Sequence, residues 1–127
     1  VKAAKDKILK NVGVAYIDLN GLKAINDNYG HSNGDKFICT AADTFKMVFP
    51  DNSYRIGGDE FVIIEQNIER DKYEERITAL KNIMQDKQVS ISIGVLWREY
   101  VDDLEELLKA ADKLMYMEKE MYHNNRE

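Results

Sequence analysis

This 127-residue sequence has one cysteine, one proline, no block of basic residues and no long apolar run. Because Cys39 has no second cysteine to pair with, an intrachain disulfide and a cysteine metal cluster are both excluded. No apolar run approaches the roughly 20 residues that cross a bilayer, and residues 1–10, VKAAKDKILK, lack the apolar core of a signal peptide. A net charge of −5 without a basic block argues against a nucleic-acid partner, and no membrane contact is expected of this domain.

The composition, 44% hydrophobic and 32% charged, predicts one globular domain without linkers or repeats. Apolar and β-branched runs predict strands at residues 12–19, 53–56, 61–65 and 89–95, with Asp18 near the end of the first. Helical spacing predicts three helices: from Asp35 to Pro50, around residues 73–84, and from an N-cap at Asp102. Residues 21–35 are expected to be an irregular loop with a brief helical turn. The simplest sheet for the order β-α-β-β-α-β-α is a ferredoxin-like split βαββαβ arrangement of the α+β class.

The stretch RIGGDEF, residues 55–61, places two glycines and two acids between two predicted strands. In this topology Asp18 would face Asp59 and Glu60, so that three carboxylates share a small volume. Clustered carboxylates repel unless a cation neutralises them, and oxygen ligands favour Mg²⁺ or Mn²⁺. The alternative is a plain hairpin turn with solvated acids.

Four other residues could bind a nucleotide. Asn26 and Asp35 offer a carboxamide and a carboxylate, which suit the donors and the acceptor on the edge of guanine. Lys23 and Lys119 could bring positive charge to a triphosphate. Each has an ordinary alternative: a turn-forming Asn, a helix N-cap Asp and solvent-facing lysines. His31 has no second histidine or cysteine nearby in sequence and is not interpreted as a metal ligand.

Together, four segments resemble the GGDEF family, the diguanylate cyclases. They are DLNGLKAINDNYGHSNGD (residues 18–35), RIGGDEF (55–61), SIG (92–94) and AADKLMYMEK (110–119), in the family's order and spacing. The resemblance implies a fold like the palm of nucleotide cyclases, with residues 1–127 as one catalytic domain. It also implies condensation of two GTP molecules into cyclic di-GMP, with pyrophosphate released and Mg²⁺ or Mn²⁺ required. Because one domain holds one GTP, two domains would meet in a homodimer.

The resemblance also implies a role for each site residue. The metal would be bound by Asp18 through its side chain, by Leu19 through its carbonyl and by Asp59, which would also be the general base. Glu60 would support the metal or the attacking hydroxyl. Guanine would be held by Asn26 and Asp35 with His31 nearby, and the phosphates by Lys23 and Lys119.

The chain departs from the family's pattern in several places. Asn20 and Gly21 stand where a second Asp and an aromatic residue are common, and activity is expected to survive both changes. The family's inhibitory Arg-x-x-Asp site is replaced by VFPD (residues 48–51), so product inhibition through that site is not expected. A Gly-Arg-Asn that often follows the last lysine is replaced by YHN (residues 122–124), with His123 a weaker substitute for a phosphate-binding arginine.

The family's opening Leu-Thr-Gly-Leu-x-Asn-Arg is absent upstream of the first strand. We therefore expect a shortened domain from a longer, regulated protein, located in the cytoplasm, with a regulatory domain and any membrane anchor elsewhere in that protein. Alternative functions are a GTP-sensing module without turnover, a protein-interaction domain and a cyclase making a mixed GMP–AMP product. Intact motif residues favour the enzyme over the sensor, and Asp35 suits guanine better than adenine.

Overall fold

The computed structural model describes residues 8–126, so most of the basic start of the chain lies outside the described residues. Its elements are β1 (Leu9–Leu19), α1 (Leu22–Tyr29), α2 (His31–Val48), β2 (Ser53–Arg55), β3 (Glu60–Glu65), α3 (Arg70–Asp86), β4 (Ile91–Val101) and α4 (Leu104–Arg126). None of the helices within residues 8–126 is long and apolar enough to cross a membrane.

The four strands form one sheet in the order β2-β3-β1-β4, and every neighbouring pair is antiparallel. Strands β1 and β2 are therefore parallel, with β3 inserted between them, which confirms the predicted ferredoxin-like α+β fold. Asp18 on β1 lies opposite Glu60 on β3 and opposite Ser92 on β4. The end of β1 and the hairpin between β2 and β3 are consequently neighbours, as predicted.

Helices cover both faces of the sheet. On one face α2 and α3 bury the main core, which includes Phe45 and Tyr73 together with Ile17 of β1. On the other face α4 packs against a smaller cluster that includes Val14 and Ala111. Ser92 and Gly94 of β4 are buried as well, so the first half of this strand is covered on both sides, whereas Arg98, Glu99 and Tyr100 are exposed. The buried sheet fixes the positions of the strand ends, where the polar residues lie.

The prediction of an irregular loop at residues 21–35 was wrong, because this stretch forms α1 and the beginning of α2. Gly21 and Gly30 have positive φ angles of 81° and 87°, and they interrupt the helical backbone at the two ends of α1. The two helices pack against each other, which stabilises a helix of eight residues where only a brief helical turn was predicted. Asp35 therefore lies inside α2 and is not its N-cap.

Several element boundaries also differ from the prediction, including the start of β1 at Leu9 instead of residue 12. Strand β4 continues to Val101, although Arg98 and Glu99 interrupt its apolar pattern, because the early part of β1 from Leu9 provides a pairing partner. Helix α4 is capped by Asp103 rather than Asp102, since the carboxylate of Asp103 accepts a hydrogen bond from the amide of Glu106 at 3.2 Å. Such shifts arise because tertiary pairing decides where an element stops.

Candidate active site

Asp18 is the buried centre of the candidate site. Its position between β3 and β4 leaves the side chain only 4% exposed. Oδ2 accepts a hydrogen bond from Nζ of Lys119 at 2.6 Å, whereas Oδ1 has no hydrogen-bond partner among the described residues. This bond to the carboxylate raises the pKa of the Lys119 ammonium, so the lysine remains charged. Asp18 therefore has one oxygen paired with the lysine and one buried oxygen without a hydrogen-bond partner, which is the donor available for a cation.

Asp59 is held beside Asp18 by the backbone. The amide of Leu19 donates to the carbonyl of Asp59 at 2.9 Å, which ties the hairpin to the end of β1. Burial and the adjacent Asp18 carboxylate raise the pKa of Asp59, because both disfavour a second negative charge. The two carboxylates thus form a tight acidic pair at the place where the sequence predicts a metal.

Glu60 is near this pair but has different surroundings. Its pKa is raised by burial and by the negative charges of Asp18, Asp59 and Asp112 of α4. A Cβ added at Gly57 would lie 3.2 Å from Oε1 of Glu60, so this carboxylate folds back over the hairpin turn. Within residues 8–126 no three His, Cys, Asp or Glu side chains converge in a metal-binding group. Glu60 is nevertheless close enough to be affected by the charges of both Asp18 and Asp59, and the backbone ties Asp59 to the end of β1.

Arg55 holds the glycine turn in shape, a role that the sequence did not reveal. Its Nε donates to the carbonyl of Gly57 at 3.0 Å and its Nη2 donates to the carbonyl of Gly58 at 2.7 Å. The amides of Ile56 and Gly57 both donate to the carbonyl of Glu60, which closes the hairpin. The turn is thus fixed by one guanidinium and two backbone hydrogen bonds.

A pocket of about 390 Å³ opens beside the acidic pair. It is lined by Leu19, Asn20, Gly21, Leu22, Lys23, Ala24, Asp27, Asp59, Lys119 and His123. Lys23 and Lys119 are both in the lining, which places the two predicted phosphate-binding lysines in one pocket. His123 is in the lining as well, and its ring contacts that of Tyr122 edge-on. The pocket combines two ammonium groups with acids that can hold a cation, and this combination suits a metal-bound polyphosphate.

The residues predicted to hold guanine lie on the two packed helices α1 and α2. The side-chain oxygen of Asn26 packs directly against Gly34, where a Cβ would overlap it. That oxygen is buried and has no hydrogen-bond partner among the residues described. Asp35 follows Gly34 and is exposed, as is His31 at the start of α2; neither is in the pocket lining. Asp35 thus offers exposed acceptor oxygens to a ligand beside the helix contact where Asn26 lies.

A buried polar network supports the end of β1. Asn20 donates from Nδ2 to Oγ of Ser90 at 3.0 Å and accepts at Oδ1 from Oγ of Ser92 at 2.9 Å. Its backbone amide also donates to the carbonyl of Ser90 at 2.9 Å. The sequence marks Asn20 only as a departure from the family pattern, and the alternation of Ser90 and Ser92 was the available signal for this network.

The strand order, the pairing register and the acidic pocket define a ferredoxin-like α+β domain of the palm type. A family model described as "Diguanylate cyclase, GGDEF domain" matches residues 2–125, and the chain belongs to this family. Two curated relatives are the signaling protein YkoW of Bacillus subtilis, 38% identical over 87% of this chain, and diguanylate cyclase DgcS of Shewanella oneidensis, 34% identical over 86%. This chain spans only 15% and 39% of those proteins.

Solved GGDEF domains share the fold. The GGDEF domain of PA1120 (TpbB or YfiN) from Pseudomonas aeruginosa has a TM-score of 0.76 and 26% identity, covering 88% of this chain and 73% of that one. The GGDEF domain of DgcB from Caulobacter crescentus, solved in complex with c-di-GMP, has a TM-score of 0.76 at 20% identity, covering 87% and 73%. These neighbours confirm the resemblance to GGDEF domains and the palm-like fold.

Proposed function

We propose that this domain condenses two GTP molecules into cyclic di-GMP and releases pyrophosphate, with one nucleotide held by each domain of a homodimer. The observation that carries the proposal is the acidic pair of Asp18 and Asp59. Lys119 is bonded to Asp18 and lines the same pocket as Asp59. Membership of the GGDEF family and relatives named diguanylate cyclase support the same reaction.

The donor set fits a divalent metal. The free Oδ1 of Asp18, the carboxylate of Asp59 and the carbonyl of Leu19 would hold Mg²⁺ or Mn²⁺, with Glu60 in support. When bound, the ion would neutralise charge on the phosphates of GTP. So few protein ligands would leave coordination positions for phosphate oxygens and water.

The remaining residues would bind and orient the nucleotide. Lys23 and Lys119 would contact the phosphates, because both line the pocket beside the acidic pair. Asp35 would accept hydrogen bonds from the N–H groups of guanine and the amide group of Asn26 would donate to its O6, with His31 nearby. Positioning and charge neutralisation are the main requirements of phosphoryl transfer, and these side chains supply both.

Asp59 would act as the general base. Its carboxylate would take the proton of the 3′-hydroxyl of the GTP held by the partner domain, while that oxygen bonds to the α-phosphorus of the local GTP. The bond between this phosphorus and the oxygen bridging to the β-phosphate would break, and pyrophosphate would leave. A second step of the same kind, with the roles of the two nucleotides exchanged, would release the second pyrophosphate and close the ring.

We also propose that residues 1–127 form one catalytic domain of a longer, cytoplasmic protein that contains a regulatory domain. The support is that the chain spans only 15% of YkoW and 39% of DgcS. The activating signal would then act by bringing two of these domains together.

The test is product formation by the domain fused to a dimeric coiled coil. GTP and Mg²⁺ are added and the nucleotides are separated by chromatography; we expect cyclic di-GMP and pyrophosphate. Asp59→Ala should lower the rate by about 100-fold or more, because base and metal ligand are lost together. Asp43→Ala, an exposed acid on α2, is the matched control and should keep full activity.

Two outcomes would contradict the proposal. A wild-type domain that binds GTP without making cyclic di-GMP would be a sensing module instead. Equal turnover in Asp59→Ala would show that the acidic pair is not the metal and base site.

A further inference from the structure

Lys119 is bonded to the carboxylate that is proposed to hold the metal. Its Nζ lies 2.6 Å from Oδ2 of Asp18, and the two residues are 101 positions apart in sequence. The side chain of Asp18 is 4% exposed and that of Lys119 is 36% exposed. A buried carboxylate is strongly destabilising without a counter-charge, so the lysine stabilises Asp18 when no ligand is bound.

The same lysine opposes a metal ion. A divalent cation that binds Oδ1 of Asp18 would lie on the carboxylate that already carries the ammonium group at Oδ2. Like charges so close together repel strongly where little water separates them. Metal binding would therefore be weak as long as Lys119 has no other anion to contact.

A nucleoside triphosphate would remove this conflict. Its phosphate oxygens would reach both the ion and the lysine, because Lys119 lines the pocket together with Lys23. The ammonium group would exchange the Asp18 carboxylate for phosphate, and charge-assisted hydrogen bonds to phosphate are strong. The lysine would then favour the metal–nucleotide complex instead of opposing it.

We propose that Lys119 is an internal counter-cation that keeps divalent metal out of the Asp18 site until a triphosphate binds. The inference rests on the proposed function in taking Asp18 as a metal ligand. It makes Lys119 a positioning residue that couples metal binding to nucleotide binding and lets the ion enter as part of a metal–nucleotide complex.

The first experiment measures Mn²⁺ binding without nucleotide, by electron paramagnetic resonance of the free ion. Lys119→Gln should bind Mn²⁺ roughly tenfold more tightly than wild type, because the repelling charge is gone. Lys119→Arg keeps the charge and should bind as weakly as wild type. Lys113→Gln, an exposed lysine on the same helix, is the control and should not change the affinity.

The second experiment repeats the titration with a non-hydrolysable GTP analogue. The order of affinities should reverse: Lys119→Gln should bind the Mn²⁺ complex of the analogue roughly tenfold more weakly than wild type. A purely structural role of the lysine would weaken both kinds of binding and would produce no reversal.

The two titrations separate failure of this inference from failure of the proposed function. If Lys119→Gln binds free Mn²⁺ no more tightly than wild type, the counter-cation role is wrong, even when the analogue binds well. If wild type does not bind the analogue at all, the proposed function fails, while the nucleotide-free titration still decides the role of the lysine.

Loss of Lys119 leaves Asp18 without its cation, so stability provides a further readout. If Lys119→Gln is unfolded without metal, Mn²⁺ should restore its thermal unfolding transition at concentrations that do not stabilise wild type. Failure of Mn²⁺ to restore folding would overturn the inference.

Discussion

At the residue scale, Gly34 shapes the end of the site that is proposed to hold guanine. It is buried in the first turn of α2, and the carboxamide of Asn26 occupies the space where a side chain would be. The absent side chain is what allows α1 and α2 to approach closely enough to bring Asn26 next to Asp35. A glycine at this position is therefore a packing requirement with a functional consequence.

We predict that Gly34→Ala weakens binding of a non-hydrolysable GTP analogue by about tenfold, because the new Cβ displaces Asn26. Overpacking should also lower the free energy of unfolding by about 1–3 kcal/mol. Titration calorimetry and urea unfolding measure the two effects. Ser32→Ala, an exposed change in the same turn, is the control. An unchanged affinity in Gly34→Ala would contradict the proposed role of Asn26.

The identities of most candidate residues could be read from the sequence, but their contacts could not. The motif segments placed Asp18, Asp59, Asn26 and Lys119 in one predicted site. The ion pair between Asp18 and Lys119 was not predicted, because it depends on where the last turns of α4 cross the end of β1. Sequence spacing carries no information about that crossing.

At the scale of elements, α4 lies against β4 at Gly94 without room for a side chain. A Cβ at Gly94 would overlap the backbone carbonyl of Ala111. Backbone atoms of a helix cannot rotate away as a side chain can, so the whole of α4 would have to shift. Because Lys119 lies further along this helix, the position of the helix also sets the position of the lysine.

We predict that Gly94→Ala lowers the free energy of unfolding by about 3 kcal/mol, since overpacking against backbone leaves no easy relief. Urea unfolding measures this value. Gly58→Ala is the matched control for stability, because a Cβ there would meet no atom within 4 Å. Equal midpoints for the two variants would contradict the described packing of α4 on β4.

Tyr73 attaches α3 to the sheet. Its ring lies against Gly13, and its hydroxyl donates a hydrogen bond to the carbonyl of Val14 in the core. Burial raises the pKa of this phenol above its ordinary value of 10.0. The unfolded chain therefore loses the proton first, and stability that is complete below pH 10 falls as the pH rises above it.

We predict that Tyr73→Phe lowers the free energy of unfolding at pH 7 by about 1–3 kcal/mol, because a buried carbonyl loses its donor. Above pH 10 the wild-type free energy should fall faster than that of the variant, by up to about 1.4 kcal/mol per pH unit. Urea unfolding at several pH values measures both. Tyr100→Phe, an exposed tyrosine, is the control, and parallel pH curves for wild type and Tyr73→Phe would be inconsistent with the buried phenol.

Core positions could be predicted because hydrophobic periodicity records them directly, as at Tyr73, Ile77, Leu80 and Met84 of α3. The strand order followed from the order of elements along the chain. Helix α1 was missed for the opposite reason. It has only eight residues and none of them is fully buried, so Leu22 and Ile25 alone give little signal, and its stability depends on the contact with α2. Helices of this kind are determined by tertiary packing rather than by sequence pattern.

At the scale of the whole molecule, the lack of the arginine of the family's inhibitory Arg-x-x-Asp motif bears on inhibition by the product. Val48 stands at the arginine position of the family's inhibitory motif, at the end of α2 and partly packed against the core. We predict that cyclic di-GMP at low micromolar concentration does not slow the dimerised domain. Initial rates with and without added product measure this, and potent non-competitive inhibition would contradict it.

In the proposed reaction one domain supplies half of a two-nucleotide reaction centre built on Asp18 and Asp59. The specific activity of the unfused domain tests this, measured as cyclic di-GMP formed per domain over a wide range of domain concentrations. We expect a specific activity that rises with concentration in wild type and is lost at every concentration in Asp59→Ala. A specific activity that is independent of concentration, or undiminished in Asp59→Ala, would contradict it.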